Sequence, residues 1–369
     1  MPLNVGIVGL PNVGKSTIFS ALTSVPAEAA NYPFCTIDPN VGIVPVPDER
    51  LDRIADIIPT EKIIPTVVEF VDIAGLVRGA SKGEGRGNQF LAHIRETGII
   101  AHVVRCFDDD DVTHVDGSVD PIRDIETIDI ELALADLETV GKRRDRLEKE
   151  LKSQDKKISA PAKALQPLLE QTAAHLEEGR PARSLDFTEE QWLLLRDLHL
   201  LTAKPVLYVC NVDEAGMDGG SNHEARVREH ATAEGAEVVR ICGQLEAEIA
   251  ALESEEERDD FLSDAGLEEP GLAQLIRSGY RGLGLRTFFT AGPKEIRAWT
   301  FHRGATAPEA AGVIHTDFQR GFIRAETYHV DDLFTYGSEQ KVREAGKLRQ
   351  EGKEYRVKDG DVMFFKFNT

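Results

Sequence analysis

The 369-residue chain has only four cysteines, Cys35, Cys106, Cys210 and Cys242, and no two of them form a C-x-x-C pair. That scatter disfavours a zinc site or a disulfide scaffold and fits a reducing compartment. No uninterrupted apolar run reaches the roughly 18 residues that a membrane-spanning helix needs. Met1-Pro2-Leu3-Asn4 offers neither a basic leader nor a small-residue cleavage site, so the expectation is a cytoplasmic protein. Internal repeats and low-complexity tracts are also missing. Basic residues are short as well: 43 Lys and Arg face 64 Asp and Glu, for a formal charge of −21. A surface this acidic excludes a general nucleic-acid coat, because phosphate binding needs positive charge.

Local charge departs from that average. Residues 245–269 hold eleven acidic side chains and one basic, whereas residues 142–163 hold nine basic and four acidic. Any contact with RNA is therefore expected to be local. The acidic run reads equally well as a device for solubility or for a saline habitat. At roughly 100–200 residues per domain, the length suggests two or three domains.

The first 110 residues alternate short apolar runs with helical patterns. Residues 3–8, 67–71, 99–107, 205–210 and 238–242 read as buried strands, with helices over stretches such as 16–22 and 89–97. This is the pattern of a parallel sheet covered on both faces. Between the third and fourth strands lies an insertion, about 129–204. Ile130, Leu134, Leu137, Leu147 and Leu151 recur at helical steps, Pro161 starts a second helical stretch, and a third covers about 189–201. Charge on most faces points to a projecting helical hairpin or coiled coil. From residue 284 the texture becomes small α+β. Strands are expected at 287–290, 295–302, 322–329 and 362–367, and a helix over 308–319. This piece carries a net charge near +2.

Gly9-Leu10-Pro11-Asn12-Val13-Gly14-Lys15-Ser16 matches G-x-x-x-x-G-K-[ST], after a strand and before a helix. The expected phosphate cradle is Asn12, Val13, Gly14, Lys15, Ser16 and Thr17, with the positive end of the helix dipole behind it. Lys15 is expected on the β- and γ-phosphates, and Ser16 on Mg²⁺. Asp72-Ile73-Ala74-Gly75 ends the next strand. Asp72 there can hold the metal through water, and the Gly75 N–H can meet a γ-phosphate. Thr36, in Asn31-Tyr32-Pro33-Phe34-Cys35-Thr36, is the candidate second hydroxyl on Mg²⁺. Together these motifs resemble the Ras-like switch GTPases, and specifically their Obg branch.

A guanine site of that class normally carries N-K-x-D. Here the strand at 205–210 runs into Asn211-Val212-Asp213-Glu214. A missing lysine stem and a longer carboxylate shift the expectation towards adenine, although Asp213 in a shifted register keeps guanine open. The usual water-orienting glutamine after D-x-x-G is replaced by Leu76, which cannot hydrogen-bond water. His114 is one candidate for that role, and an ordinary exposed loop histidine is the alternative.

Over nearly its whole length the chain is similar to the YchF family of Obg-like ATPases. The motifs above carry the resemblance, with R-C-F-D-D-D-D-V-T-H-V at 105–115, E-I-R-A-W-T at 295–300, G-A-T-A-P-E-A-A-G-V-I-H-T-D-F at 304–318 and V-K-D-G-D-V-M-F-F-K-F at 357–367. The resemblance implies an α/β, P-loop NTPase domain of Ras-like type (1–128 and 205–283), an inserted coiled-coil arm (129–204) and a C-terminal β-grasp TGS domain (284–369). It implies ATP preference, with the base read largely by backbone at Asn211 and Val212, and with Glu214 in the altered motif. It further implies a hydrophobic residue at Leu76, a histidine in a mobile loop at His114, and association with the ribosome. In related P-loop proteins an asparagine at the place of Asn12 helps to ligate K⁺. Cys35 departs from the threonine that Obg proteins often carry beside Thr36.

The expectation is thus a Mg²⁺-dependent, slow ATP switch, monomeric, without a membrane partner, and contacting ribosome or RNA through the arm and the TGS domain. An Obg-like GTPase and a nucleotide-gated ribosome-binding module remain as alternatives.

Overall fold

The structure is a computed structural model that describes residues 3–24, 40–73 and 86–368, with the backbone alone at 86–88 and 255. Thr36, Cys35, Gly75 and Leu76 lie outside the described residues. In chain order the elements are β1 (Asn4–Val8), α1 (Lys15–Thr23), β2 (Val41–Pro45), α2 (Arg50–Ile57), β3 (Ile63–Ile64), β4 (Val67–Asp72), α3 (Arg86–Arg95) and β5 (Ile99–Arg105). There follow α4 (Pro121–Leu151), α5 (Lys156–Glu177), α6 (Glu189–Leu195), β6 (Val206–Asn211), α7 (Asn222–Glu234), β7 (Glu237–Ile241), α8 (Gly243–Ala251), α9 (Glu255–Asp264) and α10 (Gly271–Gly282). The last elements are β8 (Leu285–Ala291), β9 (Ile296–His302), α11 (Ala307–Ile314), α12 (Thr316–Arg320), β10 (Phe322–His329), α13 (Val330–Tyr336), α14 (Glu339–Glu344), β11 (Arg349–Glu351) and β12 (Asp361–Phe367).

Two compact units emerge, residues 1–42 with 69–275 and residues 43–68 with 276–369. The chain passes between them within β2, β4 and α10. The first unit holds the expected parallel strands, in the order β4-β1-β5-β6-β7, with β2 added at the edge beside β4. Strand β5 is buried at every position, as a central parallel strand with both faces covered must be. The carboxyl ends of β1, β4, β5, β6 and β7 therefore open along one edge, where open α/β sheets take their ligands.

The insertion belongs to the first unit, and its first helix starts before residue 129. Asp120 caps α4 by accepting the N–H groups of Ile122 and Arg123, with Pro121 in the first helical position. The 31 residues of α4 give it a length of about 46 Å. Its first turns bury Ile125, Ile128 and Leu132, so they are core and not arm. The Asp136 carboxylate accepts from Leu201 N, Thr202 N and Thr202 Oγ1 at 2.8, 2.8 and 2.6 Å, which pins the returning chain to the base of the helix. Further out α4 packs on α5 through Val140, Leu147, Leu165, Leu168 and Leu169. Pro161 does not start α5. The helix starts at Lys156, where Asp155 accepts the Lys157 N–H, and both Pro161 and Pro167 lie inside it. Both prolines are exposed, so the carbonyls they leave unpaired face water. The third helix ends at Leu195, followed by a 3₁₀ turn and then by His199 at φ 47°. The acidic run folds as α8 and α9.

The second unit corrects the expected boundary, because residues 43–68 belong to it. Leu51 and Ile54 of α2 are buried among Phe289, Ile296, Ala298, Tyr328 and Val362. Strand β3 pairs parallel to β9 in the sheet β11-β10-β12-β8-β9-β3. Arg50 lies over the Phe289 ring, between Asp48 at 2.7 Å and Asp359 at 2.8 Å. An amphipathic helix shows a buried face but not which core receives it. The helix expected over 308–319 is two helices: His315 is extended (φ −161°) and its Nδ1 accepts the Asp317 N–H to start the second.

Candidate functional site

The loop after β1 turns through Asn12 at φ 63° and Gly14 at φ 90°, and α1 begins at Lys15. Asparagine tolerates that left-handed region better than most residues. At Gly14 a side chain is also sterically excluded, because an added Cβ would lie 2.1 Å from Asn211 Nδ2. Ser16 and Thr17 are exposed, so their hydroxyls are open to a ligand. Lys15 is buried and forms an ion pair with Asp72. The register Ile7↔Asp72 between β1 and β4 accounts for that meeting, since it brings the two strand ends level. Two of the expected active groups are thus side by side. The hard oxygen donors of Ser16 and Asp72 suit Mg²⁺ better than a softer metal.

Asn211 is 4% exposed and its carboxamide bridges two loops. Its Nδ2 donates to the Val13 carbonyl at 2.9 Å, and its Oδ1 accepts the Gly243 N–H at 3.0 Å. Val212 is buried, and its N–H reaches the Ile241 carbonyl at 2.9 Å. Asp213 accepts the Gly216 N–H at 2.9 Å as the cap of a 3₁₀ turn. Asp213 is exposed and uses one carboxylate oxygen, Oδ1, to cap that turn. Glu214 is exposed.

The segment after β5 is built, not loose. Arg105 is buried to 1% exposure and donates to the carbonyls of Phe107, Asp109 and Val112 at 3.1, 3.0 and 2.8 Å. Next to this anchor, Asn12 Nδ2 donates to the Thr113 carbonyl at 3.1 Å, tying the phosphate loop to the residue before His114. His114 itself is 6% exposed, which corrects the alternative of an exposed loop histidine. Its Nδ1 accepts the Asp116 N–H at 3.1 Å, so its proton sits on Nε2, facing Asp124 Oδ2 at 2.9 Å. Burial pushes the Asp124 carboxyl up, opposed by the hydrogen bond from His114. Sequence reasoning missed Arg105 as an anchor, the Asn12–Thr113 link and Asp124. An arginine closing a buried strand was the one available signal.

His114, Asp116 and Asp124 have the composition of a metal site, as do Asp129, His230 and Glu234. Each group already has a cation. Arg123 lies 3.5 Å from Asp116 and 3.9 Å from Asp124, and Arg183 bonds Asp129 and Glu234 at 3.2 and 3.0 Å. The three described cysteines are buried in one cluster with Val104, Tyr208 and Val212. Contact with Cys210, together with burial, pushes the Cys106 thiol up, so it stays protonated.

Residues 4–160 match a family described as "50S ribosome-binding GTPase". Residues 285–368 match YchF-GTPase_C, described as "Protein of unknown function (DUF933)". "Ribosome-binding ATPase YchF" of Bacillus subtilis is 56% identical over 371 residues, covering all of both chains. Its namesake in Escherichia coli O157:H7 is 55% identical over 369 residues, again covering all of both. The chain belongs to the YchF family. A solved relative, titled "Structure of the Schizosaccharomyces pombe YchF GTPase", superposes with a TM-score of 0.88 at 38% identity, covering 99% of this chain and 97% of that one. The YchF likeness thus spans both units, including residues 43–68. Among the described residues, no helix is long and apolar enough to cross a membrane.

Proposed function

We propose that this chain hydrolyses ATP to ADP and phosphate with Mg²⁺, as a slow, cytoplasmic, ribosome-binding switch. The observation that carries the ATP reading is the state of the base-side loop. Val212 stands where lysine would lie along guanine, Asp213 caps its own turn, and Asn211 braces the phosphate loop. Glu214 and the backbone around Val212 are left to meet an adenine. The ribosome enters from the names of relatives that match over the full length.

In this reading Lys15 leaves Asp72 and takes up the β- and γ-phosphates. The backbone N–H groups from Asn12 to Thr17 line the cradle. Ser16 and Thr36 would offer hydroxyls to the metal, and Asp72 would hold it through water. Mg²⁺, when bound, neutralises charge on the β- and γ-oxygens. The Gly75 N–H meets the γ-phosphate. With Leu76 unable to orient the attacking water, His114 takes that part. The water oxygen bonds to the γ-phosphorus as the bond to the ADP oxygen breaks, and the water's proton passes to an oxygen of the phosphate released. K⁺, where bound beside the phosphates, would be held by the carbonyl oxygen of the Asn12 side chain.

The RNA contact falls to the outer end of α4 and α5, where Lys149, Lys152, Lys156, Lys157 and Lys163 are exposed. The C-terminal unit, read as a TGS domain, adds to it, and a monomer suffices for both. Co-sedimentation with ribosomes tests this part. Binding should depend on nucleotide and weaken with salt. Replacing four of those lysines by alanine should shallow the log–log salt slope by about one unit for each phosphate that is no longer neutralised. Sedimentation that is identical with ATP, with ADP and without nucleotide would refute the switch.

A further inference from the structure

We propose that Asp124 is a positioning residue that stores His114 away from water, and that the Asn12–Thr113 bond couples its release to occupancy of the phosphate loop. The inference rests on the reading of His114 as the water-orienting group.

Both ring nitrogens of His114 are engaged, one by the Asp116 N–H and one by the Asp124 carboxylate. Both side chains are buried, at 6% and 1% exposure. In this arrangement the imidazole offers no lone pair and no proton to a water molecule, so a catalytic His114 has to leave Asp124 first. The loop is divided in a way that permits this. Arg105 fixes residues 107–112 through three carbonyls. Thr113 and His114 have separate fastenings, namely Asn12 and Asp124. Val115 is half exposed, and Gly117 at φ 77° has open space where a Cβ would be. The stretch around His114 can therefore move while its anchor stays.

The fastening to Asn12 links that movement to nucleotide. Asn12 lies in the phosphate loop itself, one bond from the residue preceding His114. Phosphate oxygens arriving at that loop compete with the Thr113 carbonyl for the Asn12 amide. A partner for the vacated carboxylate is already at hand. Asp124 Oδ1 is buried with no hydrogen bond, and Arg123 Nε, also without one, lies 3.9 Å from it. Release therefore leaves the carboxylate beside the cation it already has, instead of stranding a buried charge, which would be far more costly.

The test is single-turnover ATP hydrolysis by Asp124→Asn, His114→Ala and the double variant. Asp124→Asn keeps the shape and weakens a charge-assisted bond, so the chemical step should speed up by roughly tenfold, with KM unchanged. In the His114→Ala background the same substitution should change nothing. If His114→Ala is slow but Asp124→Asn is unchanged or slower, the storage role is overturned and the reading of His114 stands. If His114→Ala turns over like the parent, that reading falls and takes this one with it. A second measurement uses the unsubstituted protein: carbethoxylation of His114 by diethyl pyrocarbonate, mapped by mass spectrometry. Labelling should rise several-fold with Mg²⁺ and a non-hydrolysable ATP analogue. Equal labelling with and without the analogue would overturn the proposal.

Discussion

Asn211 donates to the Val13 carbonyl, so the loop expected to read the base is tied directly to the loop expected to hold the phosphates. The same side chain accepts from Gly243 at the start of α8. Asn211→Ala should leave a buried carbonyl and a buried N–H unpaired, at a cost of about 2–4 kcal/mol. Nucleotide affinity should fall with it. Denaturant unfolding and nucleotide titration of the same variant check both effects, and a loss of affinity without a loss of stability would mean that the side chain touches the base itself.

Lys15 and Asp72 form an ion pair between adjacent strand ends. Lys15→Ala should lower the rate of hydrolysis by roughly 10²–10³-fold or more, the scale for losing one donor to developing charge. The fold should survive, because α1 is also held by Ile18, Phe19 and Leu22 in the core. Unchanged turnover would contradict the site.

Glu246 gives a pH dependence with a definite sign. Its carboxyl is buried and is pushed up to about 7 by that burial, opposed by N–H bonds from Gly271 and Leu272. The folded state therefore holds this proton more tightly than the unfolded chain. The contribution to stability is complete below the unfolded value, near 4.5, and is lost as pH rises through about 7. Melting curves should show Glu246→Gln losing less stability than the parent between pH 5 and 8. The difference should amount to no more than about 3 kcal/mol. Parallel pH profiles for the two proteins would show that Glu246 is not the titrating group.

Leu51→Ala opens a cavity in the core shared by α2 and the C-terminal sheet, at a cost of about 2–5 kcal/mol. Hydrogen exchange should accelerate in 276–369 while β5 and β6 keep their protection. Loosening of β5 instead would place residues 43–68 with the nucleotide-binding unit.

The phosphate loop was legible because its chemistry is local: glycines, a lysine and a hydroxyl in one short stretch between a strand and a helix. Strand β5 was legible because burial on both faces leaves an apolar run. The allegiance of Leu51 and Ile54 was not, since an amphipathic helix shows a buried face but no partner. Pro161 misled for a related reason: proline opens helices more often than it sits inside them, and only the exposed side of α5 makes its place tolerable. Asp124 was invisible because its partner, His114, lies ten residues away across a helix start, and nothing in spacing announces that pair.

The central claim is that the N-V-D-E loop has exchanged guanine for adenine. Single-turnover hydrolysis of ATP and GTP, side by side at equal Mg²⁺ and K⁺, tests it most directly. The account predicts faster turnover and tighter binding of ATP. A preference for GTP would contradict it, and would mean that Glu214 accepts from guanine despite the engagement of Asp213 with Gly216.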